Sequence, residues 1–182
     1  PRMQELQLIS LMAALALKSA IESNKIFPKH PKYPVDLKYP NDIYIDNRKI
    51  AGILCEAVTE GSRMSVIVGI GLNVLKPSQG YSEEIRGKAG ALEEFYPGEW
   101  ESNALLREIL LELEYRYRHF DPYAIVQEYR EKCRHWGKRG KVELDGGSIE
   151  GVIKGIDDSG ALLLVTDEGV KRVLSGSLII LK

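Results

Sequence analysis

Residues 37–73 read LKYPNDIYIDNRKIAGILCEAVTEGSRMSVIVGIGLN, and the alternation within them decides the fold. Val35–Tyr39 reads as a short strand ending at Pro40, and Pro40-Asn41-Asp42 carries turn chemistry. Ile43–Ile45 continues as a strand, Asp46-Asn47 makes a hairpin turn, and Arg48–Val58 returns as its partner. Glu60-Gly61-Ser62 turns again into a third strand, Ser65–Val74. On that strand Val68, Ile70, Leu72 and Val74 share one face, expected to be core, while Gly69, Gly71 and Asn73 share the other. Two glycines at i and i+2 leave their face bare, which weakens a strand unless something approaches the backbone closely. A flat ligand whose edge is read by Asn73 would fill that gap. A packed helix or an aromatic side chain would fill it equally well.

Outward from this unit the chain reads as scaffold. Met3–Ser23 carries apolar residues at helical spacing with many alanines, which predicts a long buried helix ending near Asn24. Phe27–Pro34 holds three prolines and reads as a loop. Lys76–Ala89 is a polar, glycine-containing loop, and Gly90–Phe95 a short helix broken by Pro97-Gly98. Ser102 or Asn103 can cap a helix to about His119, with Leu105, Leu106, Ile109, Leu110 and Leu113 expected on its inner face. Asp121-Pro122 starts another, reaching about His135, with proline at the first helical position. From Gly137 the pattern changes to five short strands separated by glycine-containing turns, a small β-barrel of SH3-like size. The fold expected is α/β: a mixed β-sheet backed by helices in residues 1–136, then the barrel in 137–182.

The chain has 182 residues, 44% hydrophobic and 28% charged, with a formal net charge of −1. Such a balance argues against broad nucleic-acid or membrane-surface binding, which draws on a basic excess. The basic residues of the barrel (Lys138, Arg139, Lys141, Lys154, Lys171, Arg172) are offset by Glu143, Asp145, Glu150, Asp157, Asp158, Asp167 and Glu168, so a nucleic-acid barrel is disfavoured. No apolar run approaches bilayer length and no signal peptide is visible. Cys55 and Cys133 match no zinc or redox spacing and read as reduced thiols in a cytoplasmic protein. His30, His119 and His135 lack ligand spacing, and no protein-bound metal is expected.

The chemistry lies in the opening stretch. Lys38 stands just before a rigid turn, so its ammonium projects from a fixed point and suits a phosphate or carboxylate. Lys49 opens the return strand beside Ala51 and Gly52, whose small size permits close ligand approach. Each, taken alone, also reads as a solvated surface lysine. Asn41 and Asp42 build an Asx turn or, alternatively, orient a lysine or a magnesium-bound phosphate. No G-x-x-x-x-G-K-[ST] loop occurs, so phosphate binding here is not of the P-loop kind.

In this order and spacing the run K-Y-P-N-D, K-I-A-G-I-L-x-E and G-I-G-L-N-V resembles the biotin protein ligases, whose usual form is K-W-P-N-D, K-I-A-G-I-L-x-E and G-I-G-I-N-V-N. Lipoate ligases typically carry Ser-Ala where this chain has Ile53-Leu54, which favours biotin. The resemblance implies a class II synthetase-like catalytic domain. It also implies a two-step reaction: biotin and Mg-ATP give biotinyl-5′-adenylate and pyrophosphate, then a lysine of a biotin carboxyl carrier domain attacks the mixed anhydride. On this implication Lys38 is the catalytic lysine near the α-phosphate and the biotin carboxylate, and Lys49 holds the adenylate. Gly52 and Leu54 line the biotin pocket, Asn73 reads the adenine, and Gly69 and Gly71 admit the ligand. Lys49 and Gly52 fall on opposite faces of an ideal strand, so a bulge, or Lys49 within the turn, is expected.

Tyr39 replaces the usual Trp, and Leu75 stands where the second Asn of N-V-N is expected. The family's G-R-G-R-x-x-R loop and early Ser-Thr-Asn motif do not occur in these 182 residues and are expected upstream of Pro1. The alternative is a truncated module that binds biotin, adenylate or a partner chain without turnover. Homodimerisation follows from family likeness, and some members carry an N-terminal DNA-binding repressor domain.

Overall fold

A computed structural model describes residues 3–23, 33–61, 63–96, 101–144, 146–174 and 176–181. The expected helix end at Asn24, most of the Phe27–Pro34 loop and the Pro97-Gly98 break fall outside them.

Helix α1 (Met3–Ile21) is the axis of the core. Leu11, Leu15, Leu17 and Ile21 are fully buried and its alanines let neighbours approach on every side. Each such side chain contributes about 1.5–3 kcal/mol by leaving water, so α1 is held by packing on all faces. Its last turn is tied down by Lys18, whose Nζ donates to Val35 O and Glu22 Oε1, both at 2.6 Å. These partners are what make a nearly buried ammonium tolerable.

The helix backs a four-stranded antiparallel meander of β1 (Val35–Lys38), β2 (Asp42–Ile45), β3 (Arg48–Glu60) and β4 (Arg63–Leu72). Asp46 and Asn47 adopt φ of 50° and 58°, the left-handed pair that a two-residue hairpin requires. Leu37, Ile43, Ile45 and Ile53 point towards the helix and are buried, as period-two alternation demands.

Helices α2 (Ser102–Arg118) and α3 (Pro122–Lys132) pack on α1. Asp121 caps α3, accepting from Tyr123 N (2.9 Å) and Ala124 N (3.2 Å), with Pro122 at the first position. The helix stops at Lys132, short of His135, because Cys133 takes an extended conformation and bridges Leu37 of β1. Neither Ser102 nor Asn103 caps α2; Glu101 holds the cap position without a side-chain bond. Arg116 and Glu128 join the two helices bidentately at 2.6 and 2.9 Å. Arg116's hydrogen bonds outweigh burial and hold the Glu128 carboxyl at about 2.

The expected inner face of α2 is corrected. Leu105 and Ile109 are buried, but Leu106 and Leu110 are 53% and 55% exposed. Similarly, Val68, Ile70, Leu72 and Val74 are only half-buried. These residues flank an apolar groove of about 360 Å³ between β4 and α2, so the groove, not close packing, separates these two apolar faces.

Beyond α3 come β5 (Arg139–Leu144), β6 (Gly147–Ile156), β7 (Leu162–Thr166), β8 (Gly169–Val173) and β9 (Ser177–Ile180). They form one antiparallel sheet in the order β8-β7-β6-β5-β9. The five expected strands are present; no β8–β9 ladder closes them among the described residues. Gly140 and Gly151 lie where a Cβ would come within 2.9 Å of Ile153 Cδ1 and 2.5 Å of Val165 O, which explains two of the glycines in this tightly curled unit.

Candidate functional site

The face of the meander turned away from α1 carries the site. Register pairs Lys38 with Asp42, Asp36 with Tyr44, Asp42 with Gly52, and Gly52 with Gly71. Between β2 and β3 the register slips: Ile43 faces Ala51, but Tyr44 faces Lys49. Ile50 is therefore the extra residue of a β-bulge, and it tucks inward, fully buried. A bulge re-aims the side chains around it, and here it returns Lys49 to the face of Gly52. The ideal Cβ of Gly52 would lie 3.2 Å from Lys49 Nζ.

The bulge is supported from outside the hairpin. Lys49 N donates to Lys88 O (2.7 Å), Gly90 N donates to Lys49 O (3.0 Å), and Asn73 N donates to Ile50 O (2.9 Å). The segment after β4 thus takes over the backbone groups that a regular ladder would have paired. Gly90 crosses so near that a Cβ would sit 3.0 Å from Ile50 Cδ1 and 3.1 Å from Phe95 Cε2. Glu94 fastens the same segment, accepting from Arg48 Nη1 (2.8 Å), Tyr81 OH (2.7 Å) and Ala91 N (2.8 Å).

Seven expected residues meet in one groove of about 500 Å³: Asn41, Asp42, Lys49, Gly52, Leu54, Gly69 and Gly71 line it with Ile53 and Ile70. Lys49 Nζ lies 2.5 Å from Asp42 Oδ1. Asn41 is held rigidly, its side-chain Nδ2 donating to Ile53 O at 2.6 Å while its backbone carbonyl accepts from Ile53 N at 2.9 Å. Gly69 and Gly71 are exposed, and a Cβ on either would meet only a backbone oxygen, at 3.6 and 3.8 Å. Neither a helix nor an aromatic ring covers this face among the described residues. Leu54, 62% exposed, forms an apolar wall opposite the charged end.

Lys38 borders the groove at that charged end. Burial lowers its ammonium's pKa, Asp42 opposes the shift and Lys49 adds to it. Its Nζ lies 3.4 Å from Tyr44 OH and 5.3 Å from the Tyr44 ring centroid. Burial, reinforced by Asp42, raises the Tyr44 phenol. Sequence reasoning missed Tyr44, although the period of two already put it on the face of Lys38 and Asp42. Asn73 stands apart: it follows the strand, and its Nδ2 donates to Gly90 O at 3.0 Å. That amide pins the loop that supports the bulge.

An apolar wall, two ammonium groups and a glycine floor suit a ligand that is flat over the strands, apolar at one end and anionic at the other. Asp42 is ion-paired with Lys49, and no three His, Cys, Asp or Glu residues converge among the described residues.

Residues 2–73 match the Biotin/lipoate A/B protein ligase family, and residues 135–181 match the Biotin protein ligase C terminal domain. The chain is 32% identical to the bifunctional ligase/repressor BirA of Bacillus spizizenii over 182 residues, 97% of this chain and 54% of that protein. It is 32% identical to the biotin--[acetyl-CoA-carboxylase] ligase of Mycobacterium tuberculosis, covering 91% of this chain and 59% of that one. The chain therefore spans little more than half the length of these relatives. The structure superposes on the biotin protein ligase from Aquifex aeolicus in complex with biotin and ATP with a TM-score of 0.77. That match has 28% identity and covers 96% of this chain and 72% of the other.

Proposed function

Because this chain belongs to the biotin protein ligase family, we propose that its groove binds biotin and ATP, joins them as biotinyl-5′-adenylate, and passes the biotinyl group to a lysine of a biotin carboxyl carrier domain. The observation that carries this reading is the bulge at Ile50, which sets Lys49 over Gly52 beside the bare Gly69–Gly71 floor.

In the first step a biotin carboxylate oxygen attacks the α-phosphorus of ATP and pyrophosphate leaves. Negative charge crowds the carboxylate and phosphoryl oxygens as they meet. Lys38 and Lys49, at one end of the groove, compensate it as compact cations. Asp42 keeps Lys49 aimed through its ion pair. Leu54 packs against the apolar part of biotin, Gly52, Gly69 and Gly71 let it lie on the backbone, and Asn41 braces the turn. Asn73 contacts the adenine through the side of its amide not engaged by Gly90. In the second step the neutral amine of the acceptor lysine attacks the acyl carbon and AMP leaves with the C–O bond electrons. Mg²⁺ enters as the counter-ion of ATP's phosphates. We further assign residues 1–136 to the catalytic unit and 137–182 to the C-terminal one, acting in the cytoplasm, with homodimerisation as a family expectation.

The test is calorimetric titration with a non-hydrolysable biotinyl-adenylate mimic, with Lys49→Ala as control, followed by pyrophosphate release from ATP and biotin. Lysine-dependent binding with release supports the ligase. Binding without release supports a module that holds the adenylate without turnover. Absence of binding by a folded chain removes the groove as the site.

A further inference from the structure

The residue next to Lys38 is gripped from the far side of the sheet. Tyr39 is 5% exposed; its hydroxyl accepts from Gln7 Nε2 of α1 (3.0 Å) and donates to Gly160 O (3.1 Å). Gly160 lies in the turn between β6 and β7 with φ +83°, and a Cβ there would come within 3.1 Å of Leu11 and 3.2 Å of Gln7. The turn is thus pressed directly onto the helix.

Asp157 makes that turn stiff. One carboxylate oxygen accepts from Ser159 N (2.9 Å), Ser159 Oγ (2.6 Å) and Ala161 N (3.0 Å), while the other takes Arg172 Nε at 2.5 Å. Burial alone would raise its pKa; the bonds from Ser159, Arg172 and Ala161 outweigh it and hold the carboxyl at about 2. From α3, Arg130 donates twice to Ile156 O, at 3.1 and 2.8 Å, beside the same turn. The Tyr39 and Arg130 bonds and the approach of Gly160 to α1 bind the C-terminal sheet to the elements that frame Lys38, and the Asp157 bonds stiffen the turn that makes them.

We propose that Tyr39 is a positioning residue through which the C-terminal five-stranded unit fixes Lys38 at the mouth of the groove. The inference rests on the reading of Lys38 as the catalytic lysine. Tyr39 is the turn residue bonded directly to Lys38, the last residue of β1, so a clamp on its buried side chain from behind sets the backbone from which Lys38 projects in front. Tyr129 OH to Pro40 O (3.4 Å) and Cys133 Sγ to Leu37 O (3.4 Å) hold the flanking carbonyls from α3 and its end. The reactive corner is therefore not complete within the meander and its helices. The turn from Asp157 to Gly160 belongs to it mechanically, although no atom of that turn lines the groove.

The test reads Lys38 itself and requires neither biotin nor ATP. In the full chain, Tyr39→Phe, Asp157→Asn and the double variant are acetylated with N-hydroxysuccinimidyl acetate between pH 7 and 11, and the labelling of each lysine is followed by mass spectrometry. Lys38 is set by its burial together with Asp42 and Lys49 and lies against Tyr44, and His135 is near enough to feel its charge. Loosening the clamp admits water, so its labelling midpoint rises by about half a pH unit or more, roughly a threefold loss of rate at pH 8. Asp157→Asn acts in the same direction from the other unit. The double variant shifts Lys38 no further than the larger single change, because both act through one bond. Exposed Lys76 keeps its wild-type profile. An unmoved Lys38 midpoint in both folded single variants, or shifts that simply add, overturns the proposal. A chain that binds no adenylate but shows the coupled Lys38 shift would refute the ligase reading and leave the clamp standing.

Discussion

Gly71→Val should make the protein more stable and less functional at once. Gly71 is exposed, its backbone needs no special conformation, and a Cβ there meets only Gly52 O at 3.8 Å. Valine therefore fits the free protein without a clash. Glycine in a strand interior costs about 0.5–1 kcal/mol in conformational freedom, and strand propensities span about 1 kcal/mol. The variant is expected to gain about 0.5–1 kcal/mol, visible as a higher urea midpoint at unchanged slope. The isopropyl group then stands in the groove opposite Gly52, where the ligand must lie. Forcing such bulk into a fitted contact costs about 1–3 kcal/mol, so affinity for the biotinyl-adenylate mimic should fall about fivefold to 150-fold. Ser65→Val, on the same face of β4 but outside the groove, is the control and should leave affinity unchanged. Wild-type affinity in a folded Gly71→Val protein would refute the claim that ligand rests on the glycine floor.

Other perturbations separate chemistry from stability. Lys38→Ala should cut single-turnover adenylate formation by more than about tenfold while the melting curve stays in place, since a half-exposed lysine contributes little stability; equal rates would remove its catalytic role. Asn41→Ala strands Ile53 O and should cost about 1–3 kcal/mol in urea unfolding, and no loss of stability would mean that the 2.6 Å clamp is energetically idle. Leu15→Ala, in the middle of the buried helix, should cost about 2–5 kcal/mol, whereas a cost below 1 kcal/mol would deny α1 its place as the axis of the core. Acid should act in two windows. Burial, then Lys138 and Lys38, press the His135 imidazole down to about 4. Unfolding therefore releases a better base, and stability is full above about pH 6.5 and falls as pH drops from there towards 4. Glu128 and Asp157, held at about 2, contribute stability that is lost only below the ordinary carboxylate range. His135→Phe should flatten the fall in Tm between pH 7 and 5 and leave the steeper fall below pH 4; an unchanged slope between 7 and 5 would exclude His135 as its source.

What the sequence determined by itself is the set of features that backbone geometry repeats locally. The two-residue period of β4 exposed the glycine face, Asp-Asn placed the hairpin between β2 and β3, Asp121-Pro122 placed the start of α3, and glycine-punctuated runs counted five terminal strands. Even the parity conflict between Lys49 and Gly52 was readable, because ideal alternation puts them on opposite faces. The sequence could not choose how that conflict is resolved. The bulge depends on Lys88, Ala89 and Gly90 capturing the backbone of Lys49, a contact formed only after the chain has folded back. The outer leucines of α2 depended likewise on how much of its stripe β4 would cover. The partner of Tyr39 had no local signal: its hydroxyl meets a carbonyl at Gly160, far along the chain. Periodicity is written in adjacent residues, whereas the partner of a side chain is selected by packing between distant ones, and only the folded chain makes that selection.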